Sequence, residues 1–236
     1  MIDTLIIVPV YNEEGNIKPL IKNIFKYFKK SKSILFVDDN SKDKTRLEIY
    51  DCQKKYKNIF LKVRKNKLGI GSAHKFALKW AYHKKYKTII TMDCDGTHHP
   101  KYINQMIKIL IKKDFDIVST NRFLQKNSLS DWSLWRKFLT TLRFVVINKL
   151  LNINFDSSGA FRCYNTSRVK LEDLLKAKNN SYSFFWESTF LLNKKNYKIF
   201  EIPIKLPSRL LGSSKMELKD IFSALTYLMI FYLRKL

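Results

Sequence analysis

The stretch MDCDGTHHP, residues 92–100, sets two carboxylates, Asp93 and Asp95, one residue apart, with His98 and His99 just behind them. In an extended backbone residues i and i+2 point the same way, so both acids face one side at the end of the apolar run TIITMD (88–93). Two such charges are costly to bring together without a counter-charge. A hard divalent cation, Mg²⁺ or Mn²⁺, answers that need through oxygen ligands and commonly shares its shell with substrate phosphates. The competing reading is a pair of loop acids capping the helix expected at 100–113. A second acidic pair, Asp38 and Asp39 in VDDNS, can accept hydrogen bonds from a ribose or a nucleobase. LGIGSA is a glycine-bearing turn into a helix, where backbone can approach a ligand closely, although no GxxxxGK[ST] loop is present. Together these stretches compose a site for a nucleoside diphosphate.

The elements that must position them read clearly. TLIIVPV (4–10), SILFVD (33–38), IFLKVR (59–64), TIITMD (88–93) and FDIVST (115–120) are near-continuous apolar runs, the pattern of parallel strands buried on both faces. Between them, 14–29, 42–55, 70–84 and 100–113 read as helices; in the first, Ile17, Leu20, Ile21, Ile24, Phe25 and Phe28 form one apolar stripe. Asn12 is the expected cap of that helix, and Ser41 of the next. The alternation predicts an α/β fold with a single doubly wound, mostly parallel sheet, whose ligands bind beyond the carboxyl ends of the strands. The polar clusters YNEEGN, DDNS, NKLGIGSA, DCDGTHHP and TNRF all fall at those ends.

The second half differs. Residues 130–152 read as a helix with Trp132, Trp135, Leu139, Leu142 and Val146 on one stripe beside Arg136, Lys137 and Arg143, suited either to core packing or to a membrane interface. DSSGAFRCYN (156–165) is a glycine turn into a short strand, 182–195 a helix, 198–207 a strand and 209–216 a basic loop. The apolar segment 220–236 is too short to span a bilayer and is expected to dock on the core or lie in a bilayer interface.

Composition narrows the class. The chain has 236 residues, 45% of them hydrophobic and 14% aromatic, enough for one large buried core and against disorder. A formal net charge of +25 suits an anionic partner, although lysine scattered through an Ile-, Lys- and Asn-rich chain also reflects compositional bias. Cys52, Cys94 and Cys163 form no CxxC pair, which excludes a zinc knuckle and a disulfide framework and points to a reducing compartment. No apolar run reaches the length of a membrane span, and the N-terminal run reads as a strand rather than a signal segment, so a cytoplasmic location is expected.

VPVYNEEGNI, VDDNSKDKT, NKLGIGSAHKFAL, DCDGTHHP, TNRF, DSSGAFRCY and RLLGSSKM occur in the order and spacing of the family 2 glycosyltransferases of A-type fold. The chain most resembles the polyprenyl-phosphate mannosyltransferases, also known as dolichol-phosphate mannose synthases, over about residues 4–216. The resemblance implies an inverting transfer of a hexose, mannose from GDP-mannose above all, to a polyprenyl monophosphate at the cytoplasmic membrane surface, with Mg²⁺ or Mn²⁺. It places Pro9, Tyr11, Glu13, Asp38, Asp39, Gly71 and Asp93 around the nucleotide, and Asp93, Asp95 and Thr97 at the metal. Relatives carry Gln or Ser where Thr97 stands, which leaves its ligation open. Arg122, Arg136, Asp156, Ser158, Arg162, Glu187, Arg209, Ser214 and Lys215 fall around the sugar and acceptor phosphate; Ser158 stands where many relatives have Thr. Asp95, Arg122 and Arg209 are the expected catalytic residues.

A phosphate monoester has a second pKa of about 6 and is already a nucleophilic dianion near neutral pH, so it needs no strong base. Relatives that glycosylate a sugar hydroxyl carry a base in a Glu-Asp pair; here the pair reads Glu187-Ser188, and the Gln-x-x-Arg-Trp motif of processive polymerases is absent. Glu187 is therefore either a residue of the acceptor site or a helix glutamate bonded to a neighbour. The expected division is a catalytic unit over 1–216, with a nucleotide-sugar half (1–121) and an acceptor half (122–216), followed by an amphipathic segment (217–236) for a membrane surface or a docking partner. A small integral-membrane partner is compatible with that segment. The rival readings are a same-fold enzyme using a UDP-sugar or a hydroxyl acceptor, and a basic nucleic-acid-binding protein, against which the ordered carboxylate loops count.

Overall fold

The computed structural model describes residues 4–29, 32–209, 211 and 218–234. β1 (Thr4–Val10), β2 (Lys32–Asp38), β3 (Ile59–Val63), β4 (Thr88–Thr91), β5 (Ile117–Asn121), β6 (Arg162–Asn165) and β7 (Ile199–Pro203) form one seven-stranded sheet in the order β3-β2-β1-β4-β6-β5-β7. β6 runs antiparallel to β4 and β5, and the remaining pairs are parallel. The helices are α1 (Ile17–Tyr27), α2 (Thr45–Lys55), α3 (Ile70–His83), α4 (Ile103–Lys112), α5 (Leu134–Leu151), α6 (Leu171–Leu175), α7 (Phe184–Lys194) and α8 (Leu218–Leu233).

Every residue of β1 is buried, because the strand lies inside the sheet with a hydrophobic layer on each face. Ile6, Val8 and Val10 face the layer that contains α1 and α4; Leu5 and Ile7 face that of α3 and α7. That two-sided burial is what a continuous apolar run encodes. The register aligns Val10 with Asp38 and Ile7 with Thr91, so the chain leaves β1, β2 and β4 on the same edge of the sheet. The order reverses between β1 and β4, the switch point at which such sheets bind ligands. β6 enters from the other direction and sets Arg162 between Thr91 and Ser119, which delivers the preceding loop, 156–161, to the same edge.

Local starts differ from expectation where a side chain found a distant partner. Asn12 does not cap α1: it sits at φ 52°, its N–H donates to Ser41 Oγ (2.9 Å), and its Oδ1 accepts the Lys42 N–H (2.9 Å). Ser41 is likewise drawn to Asp38, and α2 begins only at Thr45. α5 begins at Leu134, capped by Ser133, whose Oγ accepts the Arg136 N–H. The expected tryptophan stripe is divided: Trp132, before α5, and Val146 pack on the core, while Trp135, Leu139 and Leu142 are exposed. Ile147 and Leu151 face inward, while Leu134 and Trp135 are 83% and 68% exposed. α8 docks through Tyr227, Leu228 and Phe231 on Trp186 and Phe190 of α7, and leaves Phe222, Leu225 and Met229 in solvent. Among the described residues no helix is long and apolar enough to cross a membrane.

Candidate active site

A cleft of about 310 Å³ opens at the switch point, lined by Pro9, Tyr11 and Glu13 after β1, Asp39 after β2, Asp93 and Asp95 after β4, and Arg209. Asp39 is aimed by a bidentate pair with Arg64, the residue after β3, and Arg64 Nη1 also donates to Ser72 Oγ (2.7 Å). Lys67 Nζ stands 4.5 Å from the centre of the Tyr11 ring. Glu13 Oε2 accepts from Asn16 Nδ2 (2.7 Å), and its N–H donates to Thr45 Oγ1 (2.7 Å). The resulting wall offers an aromatic face, a buried carboxylate and cations to a nucleotide.

Asp95 is buried and fully directed. Its Oδ1 accepts the Thr97 N–H (3.1 Å) and hydroxyl (2.6 Å), and its Oδ2 lies 3.1 Å from Arg209 Nε. Thr97 therefore braces the carboxylate. Asp93 is 36% exposed; its Oδ2 is 3.5 Å from His98 Nδ1, and that nitrogen already accepts the Asp93 backbone N–H (2.9 Å). Loss of water raises the Asp93 carboxyl above the ordinary range; Asp95 adds to the rise, while His98, Arg209 and Arg122 oppose it. The residues present suit a hard divalent cation: two carboxylates on one cleft wall, one of them raised by loss of water and by its like-charged neighbour. Among the described residues no set of three or more His, Cys, Asp or Glu could hold a metal alone. Oxygens of a bound diphosphate would have to complete the shell. The histidines do other work. His98 packs on the Phe161 ring at 5.2 Å, and His99 Nδ1 accepts the Lys101 N–H at the start of a short 3₁₀ turn, 100–102.

Beside the cleft lies a cationic group. Arg122 Nε donates to Asp156 Oδ2 (2.6 Å), and the Arg122 N–H reaches the same oxygen (3.2 Å). Burial alone would raise Asp156, but Arg122 and the Ser158 hydroxyl outweigh it and hold the carboxyl below the ordinary range. Ser158 Oγ donates to Asp156 Oδ1 (3.0 Å) and accepts from Arg143 Nη2 (3.2 Å). Arg143 is lowered to about 10 by loss of water and by the Arg122 charge, against Asp156. Arg136 lies on the Trp132 ring, its Cζ 3.5 Å from the centroid, within electrostatic reach of Arg209, Asp95 and Arg122. α5 thus presents arginines toward the site from a helix whose apolar side is exposed.

Other expected site residues sit elsewhere. Asp38 is fully buried and holds the 38–41 turn through Ser41, so the strand register gives the cleft only Asp39 of that pair. Gly71 is off the cleft wall; a Cβ there would stand 2.5 Å from Phe184 Cβ and 2.9 Å from the Ser181 carbonyl oxygen. Gly69, at φ 92°, is the glycine that lines the cleft. Arg162 is buried with its donors on protein oxygens: Gly159 O (2.9 Å), Ser188 Oγ (2.9 Å), Ser157 O and Phe185 O (both 2.8 Å), which makes it a brace rather than a phosphate ligand. Glu187 is buried and faces backbone amides. Ser214 and Lys215 lie outside the described residues.

The sequence does not mark Arg64, Lys67, Ser181, Tyr182 and Glu201 as site residues, and it offers Arg143 only as a flank of the 130–152 stripe. Arg64 and Lys67 follow a strand end, a signal that was present; Glu201 had none. It sits on β7 opposite Ser119 in the register, accepts from Asn121 Nδ2 (2.7 Å) and takes the Asp156 N–H (2.8 Å). That contact fixes the loop whose Asp156 holds Arg122.

Residues 5–171 match the glycosyl transferase family 2 model. Polyprenol monophosphomannose synthase of Mycolicibacterium smegmatis is 26% identical over 228 residues, 94% of this chain and 84% of that protein. Undecaprenyl-phosphate mannosyltransferase of Micrococcus luteus is 26% identical over 213 residues, 90% and 86%. Among solved structures, glucosyl-3-phosphoglycerate synthase from Mycobacterium tuberculosis, in complex with Mn²⁺, UDP and glucosyl-3-phosphoglycerate, superposes with a TM-score of 0.62 at 16% identity, over 96% of this chain and 77% of that one. At that identity the likeness bears on the fold.

Glu201 gives the site a measurable signature. Burial raises its carboxyl from 4.5 to about 7, against the hydrogen bonds from Asn121 and Asp156. A raised acid binds its proton more tightly when folded, so stability falls as pH rises between those values, by about 3 kcal/mol in all. Urea denaturation of wild type and Glu201→Gln across pH 4.5 to 7 should therefore show the wild-type advantage shrinking as pH rises. A difference that stays flat with pH would show that Glu201 is not shifted.

Proposed function

The chain belongs to glycosyl transferase family 2, and from that membership we propose that it moves a hexose, mannose from GDP-mannose foremost, onto a polyprenyl monophosphate with inversion. The names of the two mannosyltransferase relatives support the acceptor and the sugar. The observation that carries the reading is the Arg209–Asp95 ion pair. It joins the donor-side acids to a cationic group, Arg122, Arg136 and Arg209, on the flank where α5 and α8 expose apolar side chains. A donor diphosphate and an anionic acceptor head can then be held together, with a lipid tail running toward those helices.

On this reading an oxygen of the acceptor phosphate dianion attacks the anomeric carbon from the face opposite the diphosphate. The new C–O bond forms as the bond to the diphosphate breaks, and no proton has to move. Tyr11, Glu13 and Asp39 seat the nucleoside; Asp93 and Asp95 lie at the diphosphate. A divalent cation, when bound there, supplies neutralisation of the charge that develops on the leaving diphosphate. Arg122 and Arg209 offset the charge of the incoming phosphate, and each is aimed by a carboxylate, Asp156 and Asp95 respectively. Glu187 plays no part as a base, since both its oxygens accept backbone N–H groups.

The same reading places the enzyme peripherally at a membrane surface. Leu134 and Trp135 of α5 and Phe222 and Leu233 of α8 are all more than half exposed, and Arg136, Lys137 and Arg143 suit anionic headgroups. The division into a catalytic unit over 1–216 and a lipid-facing segment over 217–236 belongs to this proposal.

Purified protein incubated with Mg²⁺ or Mn²⁺, GDP-mannose or UDP-glucose, and a short-chain polyprenyl phosphate should yield lipid-linked hexose. Arg209→Ala should lower kcat/KM about a hundredfold. Glycosylation of hydroxyl acceptors alone, or full activity in Arg209→Ala, would contradict the proposal. In a second test, wild type should sediment with anionic phospholipid vesicles, whereas the Trp135→Glu, Phe222→Glu double variant should stay in the supernatant yet still glycosylate a water-soluble short-chain phosphate. Equal sedimentation of the two would contradict the membrane placement.

A further inference from the structure

Glu187 is 1% exposed on α7, a position where a carboxylate is stable only if donors surround it. Its Oε1 accepts the Lys178 N–H (2.8 Å) and its Oε2 the Asn179 N–H (2.9 Å), and the carboxylate lies within electrostatic reach of the Tyr227 hydroxyl of α8, whose ring packs on the adjacent Trp186. The segment so held leads directly to the donor cleft. Lys75 Nζ donates to the Ala177 carbonyl (3.0 Å), the Asn180 carbonyl accepts the Ser72 N–H (3.0 Å), and Ser181 and Tyr182 line the cleft itself. The backbone of 180–181 fills the space next to Gly69 and Gly71: a Cβ on Gly69 would stand 2.3 Å from the Asn180 carbonyl oxygen. The glycine turn in LGIGSA therefore makes room for this segment.

On its other side α7 carries α8. Trp186 packs on Tyr227 and Phe231 with ring centres 5.7 and 5.2 Å apart, and α8 brings Lys219 and Asp220 to the cleft while Phe222, Leu225 and Met229 face solvent. Trp186 and Glu187, adjacent on α7, thus lie between the exposed helix and the cleft wall, one packed on α8 and the other bonded to segment 178–179. We infer that Glu187 is a positioning residue for the sugar donor: it couples the seating of α8, through Tyr227, to segment 177–182, and takes no proton from the acceptor. This inference rests on the glycosyl-transfer reading and adds to it a route by which a lipid-facing helix sets donor affinity.

The test compares wild type, Glu187→Gln, Tyr227→Phe and the double variant. A glutamine can accept only one of the two amide N–H groups, so the KM for the nucleotide sugar should rise about tenfold, with kcat and the pH profile of kcat close to wild type. Tyr227→Phe should shift KM in the same direction by less. The double variant should be no worse than Glu187→Gln alone, because both changes act through one carboxylate. Calorimetric titration of GDP or UDP with Mg²⁺ should weaken in parallel. That arm needs no acceptor, so it reads Glu187 even if transfer to a lipid phosphate fails. A collapse of kcat in Glu187→Gln with loss of its acid limb would make Glu187 a base and overturn the inference. Unchanged nucleotide binding, or fully additive effects in the double variant, would overturn it as well. Should Glu187→Gln not fold, unchanged nucleotide binding in Tyr227→Phe overturns it equally.

Discussion

A carboxylate removed from water must be given donors, and the arrangement of this molecule follows from where its buried acids find them. Asp38 takes the amide of Ser41, Asp39 the guanidinium of Arg64, Asp95 the amide and hydroxyl of Thr97 together with Arg209, and Asp156 the side chain and amide of Arg122. Glu187 and Glu201 take backbone amides of loops that border the site. Each pairing pins a loop at the carboxyl edge of the sheet. Asp93 differs: its nearest basic neighbour, His98, already receives the Asp93 N–H, and its carboxyl is pushed upward beside Asp95. The acid left least satisfied by protein thus lines the cleft, where a cation and a diphosphate would meet it.

The same logic divides the cleft. On the side of β1 and β2 the acids are neutralised from within, which suits neutral hydroxyls and a base of a nucleoside. Toward α5 and α8, Arg122 and Arg209 are held by carboxylates while Arg136 lies on Trp132 and Arg143 bonds to Ser158, and Arg143 is depressed by loss of water and then by the Arg122 charge, which a phosphate would offset. Because those arginines lie on or beside helices with exposed apolar faces, the proposed lipid and phosphate binding would draw on the same elements.

Much of this was legible in the residues. Strands buried on both faces announce themselves as apolar runs, so the sheet, its edge of polar loops and the Asp93/Asp95 pair could be read directly. What could not be read was which member of a pair reaches the cleft, since that depends on register: Asp39 does and Asp38 does not. Partners far apart in sequence were equally hidden. Asn121 and Glu201 are eighty positions apart, and only the pairing of β5 with β7 joins them. The family resemblance places Arg162 near the acceptor phosphate, whereas the antiparallel entry of β6 turns it inward onto carbonyls and the Ser188 hydroxyl. The α5 stripe carries both a core and an interface meaning, and the structure divides it, with Trp132 and Val146 packed on the core and Trp135 exposed.

In the proposed reaction the acceptor phosphate is its own nucleophile and no protein base takes part. The pH dependence of kcat, measured with a polyprenyl phosphate and with the matching polyprenyl phosphonate, tests it most directly. A phosphonate has a higher second pKa than a phosphate ester, so the acid limb should move upward with the acceptor. A limb that stays fixed while the acceptor is changed would place the titrating group on the protein and contradict the account.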